Sequence, residues 1–119
     1  MNEMKYSEWH NALFKDKPDW YWHFGLHDAK ICSVIERPTE LKLLLDTDST
    51  YSSEIKAITF LNYSVIQGDL TALTGQWWFA DELKTQHNKY FLRVETRNGK
   101  DKAFFTEITF TNVQVEKKA

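Results

Sequence analysis

An α+β fold of mostly antiparallel β structure is what this sequence predicts: about six strands in a curled sheet or sandwich, with a short N-terminal helix. Three observations carry that expectation. Beyond Pro18, β-branched and aromatic residues dominate and fall in short runs separated by turn chemistry. The run 90-YFLRVETR-97 is followed by Asn98-Gly99, a pair that tolerates positive φ at both turn positions and is the strongest short hairpin signal. The stretch 7-SEWHNALFK-15 offers Ser7 as an N-cap and sets Trp9, Ala12 and Leu13 on one helical face.

Taken in order, the helix over 7–15 is limited by Pro18, because the residue before a proline is pushed out of the α region. Strands are expected near 28–36, 41–47, 55–66, 76–84, 90–97 and 103–115. Arg37-Pro38-Thr39-Glu40 turns the chain between the first two, and the polar 46-DTDSTYSSE-54 joins the second and third. An Asn-Gly loop of two or four residues puts Tyr90, Leu92 and Val94 on a face with Ala103 and Phe105. Glu95 then meets Lys102 on the other face as a cross-strand ion pair. That second face also carries Phe91, Phe104, Ile108 and Phe110, so a second layer or the N-terminal helix must cover it.

A repeat runs through the strands. The stretch 58-ITFLNYSV-65 matches 108-ITFTNVQV-115 at Ile, Thr, Phe, Asn and Val, and upstream 43-LLLDT-47 resembles 92-LRVET-96. Both copies read as a strand, a polar loop and a longer strand. Two copies do not make a solenoid; they point to a duplicated hairpin, with Asn62 and Asn112 in a shared bulge or turn role.

The 119 residues fit one domain, 1–119, able to bury roughly two-thirds of the unfolded surface. A net charge of −2, with no basic block beyond 117-KK-118, argues against nucleic acid as a partner. The single Cys32 excludes an internal disulfide and suits a reducing compartment. The start of the chain lacks the apolar core of a signal peptide, and no apolar run reaches the ~20 residues of a membrane span. The expectation is a cytoplasmic protein without a membrane partner.

The arrangement 25-GLHDAKI-31, then 41-LKLLLD-46, then Ile58-Thr59-Phe60 with Asn62, resembles a group of small bacterial β-rich proteins. These carry an H-D-x-x-I strand start and an F-x-N-V strand end, the latter echoed at 110-FTNV-113. Several are uncharacterised and some are proposed immunity proteins of polymorphic toxin systems. The resemblance covers about residues 25–66, with the echo at 108–115. It implies a fold type and brings no catalytic residues with it.

Each candidate for chemistry meets an obstacle. His23 and His27 are four apart, as helical zinc ligands would be, but Gly25 disfavours a helix and the intervening glutamate of H-E-x-x-H is missing. In a strand the two would lie roughly 13 Å apart and could not share a metal. The better reading of His27 and Asp28 is a hydrogen-bonded clasp at a strand start. The loop 46–54 begins like a calcium loop, yet Tyr51 holds the glycine position and Ala57 the place of the bidentate Glu. Asp81 and Glu82 follow 77-WWF-79, but adjacent strand residues face opposite ways and cannot form a catalytic pair. Cys32 reads as a small buried hydrophobe. No nucleophile motif or phosphate loop is present. The aromatics are left as the salient feature: Trp77 and Trp78 must alternate, one in the core and one exposed.

The sequence therefore points to a non-catalytic, immunity-like module that needs no cofactor or metal and binds another protein through an acidic and aromatic surface. Its candidate residues are Trp20, Trp22, His27, Asp28, Trp77, Trp78, Asp81 and Glu82. A small-ligand or carbohydrate-binding module using exposed Trp is the alternative, and a metal-dependent hydrolase at His23, His27 and Asp28 is the third. Oligomeric state is left open, although the long final strand offers an edge for a dimer.

Overall fold

The computed structural model describes residues 25–48, 50, 53–86, 88–99 and 102–118. These residues form one eight-stranded antiparallel sheet: β1 (Lys30–Glu36), β2 (Glu40–Asp46), β3 (Ile55–Leu61), β4 (Ser64–Gln67), β5 (Trp77–Gln86), β6 (Lys89–Arg97), β7 (Ala103–Phe110) and β8 (Asn112–Lys117). The α+β expectation is thereby corrected to a β fold. Among the described residues the sole helical element is a short 3-10 turn, Leu70–Ala72. The helix expected over 7–15 lies outside the described residues.

Eight strands arise instead of six because two expected strands are broken, and both breaks fall in the repeat. Asn62 takes φ 54°, a left-handed conformation that ends β3 and lets β4 begin at Ser64. Thr111 separates β7 from β8. The breaks lie side by side: Thr111 N donates to Leu61 O at 2.9 Å, and Asn62 Nδ2 donates to Thr111 Oγ1 at 2.8 Å. Asn62 holds the positive φ and Asn112 does not, so the two repeat asparagines do not share one backbone role.

The strand order is β4-β7-β6-β5-β1-β2-β3-β8. β4 continues the chain of β3, and β8 continues that of β7. The pairing of Leu61 with Asn112 and of Ser64 with Thr109 keeps one register across the break. Segments 55–67 and 103–117 are thus one bent ladder, and the sheet wraps on itself into a barrel-like ring. That wrapping covers the apolar face for which the sequence demanded a second layer.

The seam of the ring is between β1 and β5. Gly75 N donates to Ile31 O at 2.7 Å, Ile31 N to Gln76 O at 2.8 Å, Trp78 N to Ala29 O at 2.7 Å and Asp28 N to Trp78 O at 2.8 Å. Inside sit Ile31, Leu41, Leu43, Ile58, Phe60, Trp78, Leu92, Ile108 and Phe110, with Leu70 and Leu73 of the 3-10 segment packed against them. Phe110 stacks on Tyr90 with centroids 5.6 Å apart and lies 4.9 Å from Phe60, so the two I-T-F copies meet in the core. Thr47 and Thr96, the repeat-related threonines, are both fully buried. The Thr47 hydroxyl donates to Ile55 O, and that of Thr96 to Gln76 Oε1.

The β6–β7 hairpin departs from its expected register. Arg97 pairs with Ala103, so the loop spans 98–102, an odd length. A one-residue change flips every side chain of a strand to the other face. Leu92 and Val94 consequently face inward with Ile108 and Thr106, while Phe105 faces out. The expected Glu95–Lys102 pair does not form; Glu95 binds Arg97 instead. Cys32 is exposed rather than buried, because a bulge between Ile31 and Ser33 turns it outward.

Candidate functional site

The ring leaves no room for a ligand among the described residues at its centre. The interior void lined by Ile31, Leu43, Phe60, Trp78, Leu92 and Ile108 measures about 20 Å³. That is space for one water at most, and its walls are apolar.

The most structured outer surface is on β5, β6 and β7. A bulge between Trp78 and Ala80 adds Phe79 to β5 and resets its alternation. Trp78 points inward and is 1% exposed, whereas Trp77 is 39% exposed, which settles the alternation the sequence required. The extra residue puts Asp81 back on the inner face with Trp78, whose Nε1 donates to Asp81 Oδ2 at 2.9 Å. Ala80 and Glu82 are left facing out.

Cross-strand rows then assemble the surface. Trp77 is opposite Arg97 and Arg97 opposite Ala103; Ala80 is opposite Glu95 and Glu95 opposite Phe105; Glu82 is opposite Arg93 and Arg93 opposite Glu107. The Arg97 guanidinium lies 3.6 Å from the Phe79 centroid and binds Glu95 at 2.9 Å. That of Arg93 lies 4.5 Å from the Phe105 centroid and 3.8 Å from Glu107. Each arginine is therefore held between a ring and a carboxylate, so less side-chain freedom remains to be lost on binding. Between the two pairs Ala80 offers only a methyl group, and a groove of about 130 Å³ opens there, bounded by Asp81, Glu82, Arg93, Glu95 and Phe105.

Of the residues singled out from sequence, Trp77 and Glu82 fall on this surface, with the Lys30 ammonium 5.3 Å from the Trp77 ring centroid and Lys84 Nζ 3.3 Å from Glu82. His27 and Asp28 sit at its rim. His27 Nδ1 faces Phe79 O, its ring meets the Phe79 ring edge-on at 5.4 Å, and its Nε2 lies 3.6 Å from Asp28 Oδ2. Asp28 has φ 73° and donates its N–H across the seam to Trp78 O. Trp78 and Asp81 face inward and belong to the scaffold. Trp20, Trp22 and His23 lie outside the described residues.

Among the described residues no three His, Cys, Asp or Glu side chains gather as metal ligands. In the loop that begins like a calcium site, Asp46 Oδ1 accepts the Asp48 N–H at 3.2 Å and Asp48 pairs with Lys118. Phe79, Arg93, Arg97 and Phe105 were missed from sequence. The alternation Arg93, Glu95, Arg97 was a legible signal, but the wrong hairpin register assigned Phe105 to the opposite face.

Fold and surface together define a small antiparallel β protein with a filled interior and a mixed charged and aromatic outer face. The chain belongs to the family described as "Protein of unknown function (DUF4085)", whose model matches residues 6–97. Comparison with curated proteins and with solved structures gives no match. Among the described residues no helix is long and apolar enough to cross a membrane.

Proposed function

We propose that this protein is a non-catalytic binding module that engages another protein through the outer face of β5, β6 and β7. The observation that carries the reading is the pair of ring-backed arginines, Arg93 on Phe105 and Arg97 on Phe79, flanking the groove over Ala80. Arginine and aromatic residues are the side chains that dominate binding energy at protein interfaces, above all when they are pre-organised. Glu82, Glu95 and Glu107 are interleaved with the arginines, which suits a folded partner bearing both signs of charge and opposes a polyanion. The filled interior favours a surface role over an enclosed ligand site. The likeness of residues 25–66 to proposed immunity proteins fits a module that blocks a toxin partner in the cytoplasm.

The test is comparative affinity capture from the native host with three baits: the wild-type chain, Phe105→Glu and Lys56→Glu. Lys56 is exposed on β3, outside the proposed surface. A partner retained by the wild type and by Lys56→Glu but lost with Phe105→Glu supports the reading. Equal recovery on all three baits would contradict it.

A further inference from the structure

Most asparagines of the chain are followed by a residue with a side chain: Glu3, Ala12, Tyr63, Lys89 and Val113. Asn98 alone is followed by glycine, Gly99. Glycine after asparagine in a hairpin loop ordinarily answers to a left-handed φ. Here it does not. Among the described residues positive φ is confined to Asp28, Asn62, Gly68 and Gly75, and a Cβ built on Gly99 would meet nothing within 4 Å. Neither backbone geometry nor space requires glycine at 99.

What glycine leaves at that place is an uncrowded N–H beside a side-chain amide. Gly99 is exposed, and its N–H meets no acceptor among the described residues. Asn98 is half-buried and held, with its N–H donating to Lys102 O at 3.3 Å and its Oδ1 accepting the Lys102 N–H at 3.4 Å. Other asparagines are placed differently. Asn112 Oδ1 accepts the N–H of its own neighbour Val113 at 2.9 Å, so that nitrogen is engaged, and the Asn62 amide is committed to Thr111.

We propose that Asn98-Gly99 is a self-modification site, at which Asn98 converts to aspartate and isoaspartate through a cyclic imide. Hydroxide removes the Gly99 amide proton, and the nitrogen attacks Asn98 Cγ to form a new C–N bond. Negative charge gathers on Oδ1 during the attack, where the Lys102 N–H already points. The Cγ–Nδ2 bond then breaks, and the leaving nitrogen takes the proton back and departs as ammonia. Water opens the imide at either carbonyl, giving aspartate or an isoaspartate whose backbone runs through the former side chain. A water is consumed and an ammonia released, with no oxidant, reductant or second protein. The new carboxylate stands next to Arg97 and makes the net charge of −2 more negative by one unit. The chemistry uses none of the groove over Ala80 and is independent of the binding role proposed above.

Peptide mapping by mass spectrometry after incubating the purified full chain at about 37 °C tests this, with Gly99→Ala and Asn98→Gln beside the wild type. The expected result is a gain of about 1 Da confined to Asn98, in two products that chromatography separates. Conversion quickens about three- to tenfold per pH unit while circular dichroism stays native, because a base starts it. Gly99→Ala puts its methyl group into open space and stays folded, yet slows conversion about tenfold or more, because the Cβ crowds the attacking nitrogen. Asn98→Gln shows no gain at 98. A wild-type Asn98 unchanged after about a month overturns the proposal. So does conversion at Asn62 or Asn112 as fast as at Asn98, or a folded Gly99→Ala that converts at the wild-type rate.

Discussion

The indole N–H of Trp78 donates to Asp81 at 2.9 Å, three residues along the same strand. In a regular strand those two positions face opposite ways; the bulge at Phe79 brings them to one face. The same bulge turns Phe79, Ala80 and Glu82 toward the outer surface. One added residue therefore closes the inside of the ring and builds the proposed binding face outside it.

A hydrogen bond from a buried indole to a side chain on its own strand carries weight in stability. Asp81→Ala is expected to lower unfolding free energy by about 1–3 kcal/mol, measured by urea denaturation. Combined with Trp78→Phe in a double-mutant cycle, the coupling should reach about 1 kcal/mol. A coupling near zero would show that the bond contributes nothing.

The corner after β4 should tolerate no side chain. Gly68→Ala carries both a left-handed φ of 104° and a backbone clash at 3.0 Å, whereas Gly75→Ala, at φ 88°, has open space. The φ strain alone costs about 1 kcal/mol or somewhat more. Gly68→Ala should therefore be the more destabilising of the two in thermal melts. Equal shifts would argue against the close approach of Gly68 to β7.

The ring rests on the meeting of the two repeat copies. Phe110→Ala removes a fully buried ring that contacts both Phe60 and Tyr90 and should cost about 3–5 kcal/mol. Val65→Ala, on the exposed strand β4, should change stability by about 0.5 kcal/mol or less. A small loss at Phe110 would mean that the two copies do not form a common core.

The sequence made the strands legible because alternation and turn residues are local. The strand expected over 41–47 matches β2, and Asn98-Gly99 marked a real hairpin. The repeat drew attention to Asn62, where a strand does break. The hidden features depend on single residues: the odd loop of 98–102, and the bulges at Cys32 and Phe79. Each inverts the facing of the residues beyond it, and none leaves a compositional mark. Closure into a ring was likewise invisible, since it depends on segments 55–67 and 103–117 pairing across the chain. For the same reason the site was half legible. Trp77 and Glu82 were found, but their neighbours Arg93, Arg97 and Phe105 come from strands whose facing the expected register inverts.

Filling the groove offers a check without charge. Ala80→Trp places a large ring on an exposed position, so stability should stay within about 0.5 kcal/mol. Retention of the host partner on such a bait should fall at least tenfold. Retention unchanged with the groove filled would remove Ala80 from the binding surface.

Whether the outer face of β5, β6 and β7 meets another protein is read out by site-specific photo-crosslinking in the native host. A benzophenone side chain is placed in turn at Phe105, at Glu82 and, as a control on β3, at Lys56, and the products are resolved by mass. One heterologous protein adduct is expected, shared by positions 105 and 82 and absent at 56. Adducts at Lys56 alone, or none at Phe105 and Glu82 while the chain is folded and expressed, would contradict it.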